Sequence, residues 1–120
     1  MGSQKFIKNN CGTVPAYTPP GHDGTVNHRL VGPSLGSEHL EIIVGEMEPS
    51  GGAHPHVHEN FEQSIYVLEG KLHMFTPESD DMFGPGDLVL FPAGCTHTLE
   101  CVEKAKFLVI YGPPKETSEK

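Results

Sequence analysis

Two stretches decide the fold: His54-Pro55-His56-Val57-His58 and Gly86-Asp87-Leu88-Val89-Leu90-Phe91-Pro92-Ala93-Gly94-Cys95-Thr96-His97. In the first, histidines occupy alternate positions, and the two-residue period of a β-strand places alternate side chains on one face. In the second, a turn leads into an apolar strand, and a Pro/Gly corner follows before His97. Such a corner can return His97 over the interior of a barrel, towards the first group of histidines.

Short segments rich in β-branched and aromatic residues recur along the rest of the chain, between turns made of Gly, Pro, Ser and Asp. Eight segments are predicted as strands: Asn27–Val31, Leu40–Met47, His54–His58, Gln63–Leu68, Lys71–Thr76, Leu88–Phe91, His97–Cys101 and Phe107–Tyr111. Regular short strands with such punctuation predict an all-β sandwich or barrel.

One window has a helical alternative. Phe61, Ile65 and Leu68 recur at helical spacing within Glu59–Leu68, which is the pattern of an amphipathic helix. The run Ile-Tyr-Val inside this window favours a strand, because β-branched and aromatic residues pack well on a pleated surface. We therefore expect a strand here.

The chain has 120 residues and a mass of 13.0 kDa, which is the size of one domain. Residues 1–24 are rich in Gly, Pro, Asn and Thr without an apolar period, which predicts an extended arm. Residues 25–114 are expected to form a single β-barrel, and residues 115–120 a polar tail.

Charge and cysteine content exclude several classes of function. Lys and Arg number 8 against 16 Asp and Glu, so the net charge of −8 disfavours nucleic acid and anionic membranes as partners. The longest apolar run, Phe107–Tyr111, is far shorter than the ~20 residues of a membrane span. Cys11, Cys95 and Cys101 form no C-x-x-C pair, which favours a reducing compartment. We expect a soluble, cytoplasmic protein.

The clustered histidines predict a metal site. Two neutral imidazoles on one strand can bind an ion when neighbouring strands supply further ligands. The candidates for these further ligands are Glu59, Glu62, Gln63 and His97. The alternative is an exposed polar strand face on which the histidines bind nothing.

The two stretches resemble the two motifs of the cupin family. The first motif, H-x-H, three or four residues, Glu, six residues, Gly, is matched by His56, His58, Gln63 and Gly70. The second, G-x5-P-x-G-x2-H-x3-N, is matched by Gly86, Pro92, Gly94 and His97. The match departs from the motifs at three places: the leading Gly of the first falls on Ser50, its Glu is Gln63, and the final Asn of the second is Cys101.

The resemblance implies a small double-stranded β-helix, the jelly-roll barrel of cupins. It also implies that a divalent transition metal (Mn, Fe, Ni or Zn) is held inside the barrel by His56, His58, Gln63 and His97. Since His54 shares the predicted face of His56 and His58, it is either a rim residue or an alternate ligand. Some cupins with Gln in this motif act in uronic-acid breakdown or as lyases, and that likeness suggests non-redox chemistry.

Replacing the motif Glu with Gln changes the electrostatics of the site. An amide oxygen leaves a three-His, one-Gln centre with the full charge of its divalent ion, which makes the ion a stronger Lewis acid with a preference for anionic substrates. The leading hypothesis is therefore a metalloenzyme that acts on a small polar, carboxylate or carbonyl substrate by isomerase-like or lyase-like chemistry. The alternatives are a non-catalytic small-molecule binding or sensing module, and a cupin dioxygenase.

Several other residues receive more modest predictions. Cys101 shares the parity of His97, so it either fills the core or lies near the ion, and Cys95 is expected to be a small buried residue. We expect His22, His28 and His39 at solvent or at an interface, and His73 on an outer or interface face. The strand Phe107–Tyr111 is apolar on both faces, so one face needs a cover. Because cupins are commonly dimers, we expect a homodimer.

Overall fold

Seven β-strands and one 3-10 turn make up the secondary structure of residues 5–115, the part of the chain that the computed structural model describes. The strands are β1 (Ala16–Tyr17), β2 (His22–Val31), β3 (Glu41–His56), β4 (Glu62–Phe75), β5 (Asp80–Phe83), β6 (Leu88–Phe91) and β7 (His97–Gly112), and the turn is Pro33–Leu35. The all-β prediction is confirmed. Within the described residues no helix has the length and apolar character needed to cross a membrane.

All strand pairs are antiparallel, in the order β1-β2-β3-β7-β4-β5, and β6 also pairs with β4. Six of the eight predicted strands merge in pairs into the long strands β3, β4 and β7. The turn signals around Ser50 and Gly70 lie within continuous strands, where pairing is interrupted or its register shifts. Such irregularities bend a strand without ending it, so each long strand can serve both layers of the barrel.

Two strands were missed, and the helical alternative is wrong. β5 lies where the sequence predicts a turn, and β1 lies in the predicted arm, paired with Asn27 and His28 of β2. Gln63–Leu68 is strand throughout, because its inward residues pack in the core while Tyr66 faces outward, as expected from their alternation. The polar tail lies almost entirely outside the described residues.

The core fills the space between the two layers. Its most buried members are Met47, Val67 and Leu72, and Met74 and Phe107 pack beside them. Burying a side chain of this size contributes roughly 1.5–3 kcal/mol, so this cluster is the main stabilising feature of the barrel. One part of the interior is left open as a cavity, which three of the predicted site residues line: His56, Gln63 and His97.

Candidate metal centre

Three histidines converge where β3 ends and β7 begins. His56 and His97 are opposite partners in the β3–β7 ladder, and His58 follows β3 by two residues. One ligand nitrogen from each ring lies within 4.8 Å of the others. Nitrogens bound to one ion at ~2.1 Å lie about 3–4 Å apart, so the cluster has nearly the spacing that a shared ion requires.

His54 does not join this cluster, although the alternation of the sequence places it on the same face. Its side chain is 70% exposed, and its Nε2 lies 3.5 Å from Oδ2 of Asp23. The reason is a register shift between Ala53 and His56, which breaks the regular alternation at this point of β3. Of the two roles predicted for His54, the structure leaves no support for that of alternate ligand.

Backbone carbonyl groups fix the orientation of two of the three rings. Nδ1 of His56 lies 2.7 Å from the carbonyl oxygen of His54, and Nδ1 of His97 lies 3.0 Å from that of Cys95. A carbonyl oxygen only accepts, so each Nδ1 carries the proton and each Nε2 keeps its lone pair. Nε2 of His97 is buried without a hydrogen-bond partner among residues 5–115, which is the state of a nitrogen ready to bind a cation.

The surroundings of His97 favour the neutral ring. The pKa of His97 is lowered to about 4, chiefly by burial and also by the nearby rings of His56 and His58, against the hydrogen bond to Cys95. The ring stacks on Phe91 with centroids 4.0 Å apart. A neutral imidazole is the form that binds metals, so His97 is in the metal-binding form at neutral pH.

Gln63 projects from β4 into the same cavity and is 7% exposed. Its Nε2 donates to the hydroxyl oxygen of Tyr111 at 3.3 Å, and its Oε1 is buried with no hydrogen-bond partner in the described part of the chain. The two neighbouring carboxylates, Glu59 and Glu62, are exposed instead. Three imidazoles and one amide oxygen are donors that fit a divalent transition metal.

The cavity has a volume of about 220 Å³, smaller than the 300–1,000 Å³ of sites for drug-sized ligands. Its apolar walls include Ile43, Met47, Ile65, Leu99, Phe107 and Val109. Polar residues come from β2, where Thr25, Asn27 and Arg29 alternate, and from Glu41, Gln63 and Tyr111. The arrangement suits a small molecule with an apolar body and polar ends.

Sequence reasoning missed several of these residues. Glu41 and Arg29 form an ion pair in the cavity wall, with Nε of Arg29 2.8 Å from Oε2 of Glu41. The alternating polar residues of β2 were the available signal, but alternation is also typical of a strand that faces solvent. Only the paired strands show that this polar face points inward.

His22 was predicted at solvent or at an interface, and this prediction is wrong. It lines the cavity with its ring centroid 6.1 Å from that of His56, and its Nδ1 lies 3.1 Å from the carbonyl oxygen of Pro20. Burial lowers the pKa of His22, and His56 adds to this effect. A fourth imidazole therefore stands beside the cluster, contributed by a segment outside both motifs.

The two cysteines near the site have separate environments. Cys101 is buried in the core, where its Sγ lies 3.0 Å from the carbonyl oxygen of Glu103, and burial raises the pKa of its thiol. Cys95 packs against the core from the side of a second cavity. Cys95 contributes to the histidine cluster through its carbonyl group, which holds the ring of His97.

Comparison with known proteins identifies the family. Residues 43–111 match the family model described as the cupin domain, and the chain belongs to this family. With the topology above, this confirms the predicted double-stranded β-helix of a cupin.

Three known proteins illustrate the range of its relatives. Quercetin 2,3-dioxygenase of Bacillus subtilis (strain 168) is 31% identical over 72 residues, or 59% of this chain, which spans only 21% of that protein's length. The polyketide cyclase RemF from Streptomyces resistomycificus superposes with a TM-score of 0.79 and 27% identity, over 90% of this chain and 80% of RemF. KdgF from Halomonas sp. superposes with a TM-score of 0.77 over 93% of this chain and 97% of KdgF, and its 18% identity shows a shared fold alone.

Proposed function

We propose that this protein is a divalent-metal cupin enzyme that acts on a small substrate with carbonyl or carboxylate oxygens, by isomerase-like or lyase-like chemistry. The observation that carries the proposal is the convergence of His56, His58 and His97 on one point, beside a cavity that the amide of Gln63 lines. Buried polar groups ordinarily have partners, and neither Nε2 of His97 nor Oε1 of Gln63 has a hydrogen-bond partner among residues 5–115, so both atoms point to a bound cation.

When bound, a divalent ion supplies Lewis-acid polarisation of a substrate oxygen. The ligand set is neutral, so it offsets none of the charge of the ion, and an oxyanion is favoured over a neutral substrate. The residues of the chain shape the rest of the site. Ile43, Ile65 and Val109 exclude water from the substrate body, and the polar residues of β2 bind its far end.

The relatives support two kinds of reaction, a non-redox reaction and an oxygen-dependent one. A polyketide is rich in carbonyl groups, the kind of substrate that a Lewis acid polarises, and RemF matches this chain over most of both lengths. The similarity to quercetin 2,3-dioxygenase favours a second candidate, a cupin dioxygenase. A binding or sensing module without turnover is the third reading, because fold alone does not establish catalysis.

Elemental analysis of protein purified without chelator tests the metal centre. We expect close to one equivalent of transition metal in the wild type, a loss in His58→Ala and Gln63→Ala, and full retention in His54→Ala, the matched histidine control. Protein that stays empty when challenged with Mn, Fe, Ni and Zn would contradict the proposal.

Turnover assays on the loaded protein then distinguish the candidates. Conversion of a keto-acid, uronate or β-diketone panel without oxygen uptake supports the Lewis-acid enzyme. Oxygen uptake with a polyphenol supports the dioxygenase, and saturable thermal stabilisation without turnover supports the binding module.

A further inference from the structure

Four polar side chains line the cavity next to one another across four strands: Arg29 on β2, Glu41 on β3, Tyr111 on β7 and Gln63 on β4. We call them the polar row. Glu41 and Gln63 are both direct cross-strand partners of Tyr111, one on each side. The row therefore runs from the far wall of the cavity to a proposed metal ligand.

The orientation of Gln63 matters because its amide has two unlike ends. Only the oxygen can bind a cation, whereas the NH₂ group would present protons to it. In the structure Nε2 donates to the hydroxyl oxygen of Tyr111 at 3.3 Å. Oε1, the other end of the amide, is therefore turned away from Tyr111. A hydrogen bond to the ligand thus selects which end faces the site.

Tyr111 holds this orientation only if its hydroxyl accepts from Gln63 and sends its own proton elsewhere. Glu41, its direct partner on β3, offers carboxylate oxygens as acceptors and lines the same cavity. The carboxylate is 1% exposed, and the bond from Nε of Arg29 at 2.8 Å offsets the cost of burying its charge.

We propose that the polar row is an orienting relay: Arg29 holds Glu41, Glu41 accepts the proton of Tyr111, and Tyr111 accepts from Nε2 of Gln63, so that Oε1 faces the metal. Tyr111 and Glu41 are then positioning residues for the centre. This inference rests on the proposed metal site and adds the reason why a Gln, with its unlike ends, serves there.

A double-mutant cycle with Co²⁺ as the probe tests the relay. Tyr111→Phe keeps the ring and removes the hydroxyl, and we expect it to weaken Co²⁺ binding about tenfold and to shift the visible absorption of the bound ion. In the Gln63→Glu background the same substitution should change binding less than threefold, because a carboxylate has two equivalent oxygens and needs no orientation. Glu41→Gln should behave like Tyr111→Phe in both backgrounds, with a smaller loss.

Equal losses from Tyr111→Phe in the two backgrounds, with unchanged absorption, would overturn the relay and leave Tyr111 a packing residue. Wild type that binds no Co²⁺ would instead overturn the proposed metal centre. Melting temperatures of all variants, measured without metal, show whether any of them fails to fold.

Hydrogen exchange tests the central bond without metal. The Nε2 protons of Gln63, assigned by their absence from Gln63→Glu, should exchange at least tenfold faster in Tyr111→Phe than in the wild type. An unchanged rate would contradict the proposed orientation, whatever the metal measurements show.

Discussion

His56 and His97 stand opposite each other on β3 and β7, with their ring centroids 4.2 Å apart. Both rings donate through Nδ1 to backbone carbonyl groups, so both turn an Nε2 lone pair away from the protein hydrogen bonds. Nε2 of His97 is buried, so without an ion it forgoes solvation by water. The consequence is that an ion bound here should stabilise the fold as well as serve chemistry.

Metal removal should therefore lower the melting temperature. A free metal concentration about 100 times the Kd adds about 2.7 kcal/mol to the free energy of unfolding of a protein with one site. Calorimetry of chelator-treated protein, with and without added Zn²⁺, measures this difference. His54→Ala should respond as the wild type does and His58→Ala should not. Identical melting of the wild type with and without Zn²⁺ would argue against the site.

The metal-free protein should lose stability in mild acid because of His97. Its pKa is about 4 in the folded state, against an ordinary value of about 6.5. Above pH 6.5 the ring is neutral in both states; as pH falls from 6.5 towards 4 the unfolded chain gains a proton that the folded one does not. The free energy of unfolding should fall by on the order of 3 kcal/mol, and this loss should be complete below pH 4.

Urea unfolding of metal-free protein at several pH values measures this loss. His97→Gln, which has no proton to gain, should flatten the profile between pH 6.5 and 4. A variant whose profile stays as steep as that of the wild type would assign the acid sensitivity to other groups.

His73, on the outer face as expected, should show the opposite dependence. Its Nε2 lies 3.0 Å from Oδ2 of Asp80, and this hydrogen bond, aided by Glu100, raises the pKa of His73. The bond to the charged ring stabilises the fold fully below the unfolded pKa of about 6.5 and fades as pH rises through the folded value. His73→Gln should thus lower the melting temperature near pH 5.5 and leave it unchanged near pH 8.5. Equal effects at both pH values would mean that the charge of His73 contributes nothing.

Local sequence patterns predicted the all-β class. They also predicted that His56, His58, Gln63 and His97 lie close together, because strand periodicity and corner residues act over short distances. The same reasoning left His54 as either a rim residue or an alternate ligand, because the sequence does not show the register shift that leaves its side chain exposed. Ser50, where the motif has Gly, adopts a φ of 67°, so the backbone keeps the left-handed turn that favours glycine.

The polar side of the cavity could not be predicted in this way. Glu41 and Arg29 are far from both motifs, and only pairing between β2 and β3 turns them inward. His22 likewise reaches the site because β2 begins earlier than its apolar residues indicate. Such placements depend on contacts between distant segments, which a single sequence does not display.

Gly70, the glycine that closes the first motif, should be intolerant of substitution. Its φ is +84°, and an added Cβ would collide with the carbonyl oxygen of Lys104 and lie 2.6 Å from Cα of Ala105. Both of these atoms belong to the backbone and cannot move aside easily. We therefore expect Gly70→Ala to lower the free energy of unfolding by about 3 kcal/mol or more. Gly86→Ala is the matched control, because Gly86 has a similar φ of +93° and no atom of the described residues lies within 4 Å of the added carbon. It should cost about 1 kcal/mol. Equal losses in chemical denaturation would contradict the steric argument.

The outer face of the barrel bears on the homodimer that we propose. Leu88 and Leu90 on β6 are 57% and 51% exposed, and Leu88 lies opposite the outward-facing Tyr66 on β4. Contiguous apolar side chains at a sheet surface are typical of subunit contacts. We expect light scattering at micromolar concentration to give twice the chain mass of 13.0 kDa.

Charges placed on this face should separate the subunits, because a buried unpaired Lys at the centre of an interface costs several kcal/mol. The double variant Leu88→Lys, Leu90→Lys should have the mass of one chain and an unchanged fold by circular dichroism. Val102→Lys is the control, an exposed apolar residue on β7 outside the β6 surface, and should remain dimeric. A monomeric wild type would refute the dimer. A dimeric double variant would show that the subunit interface does not include β6.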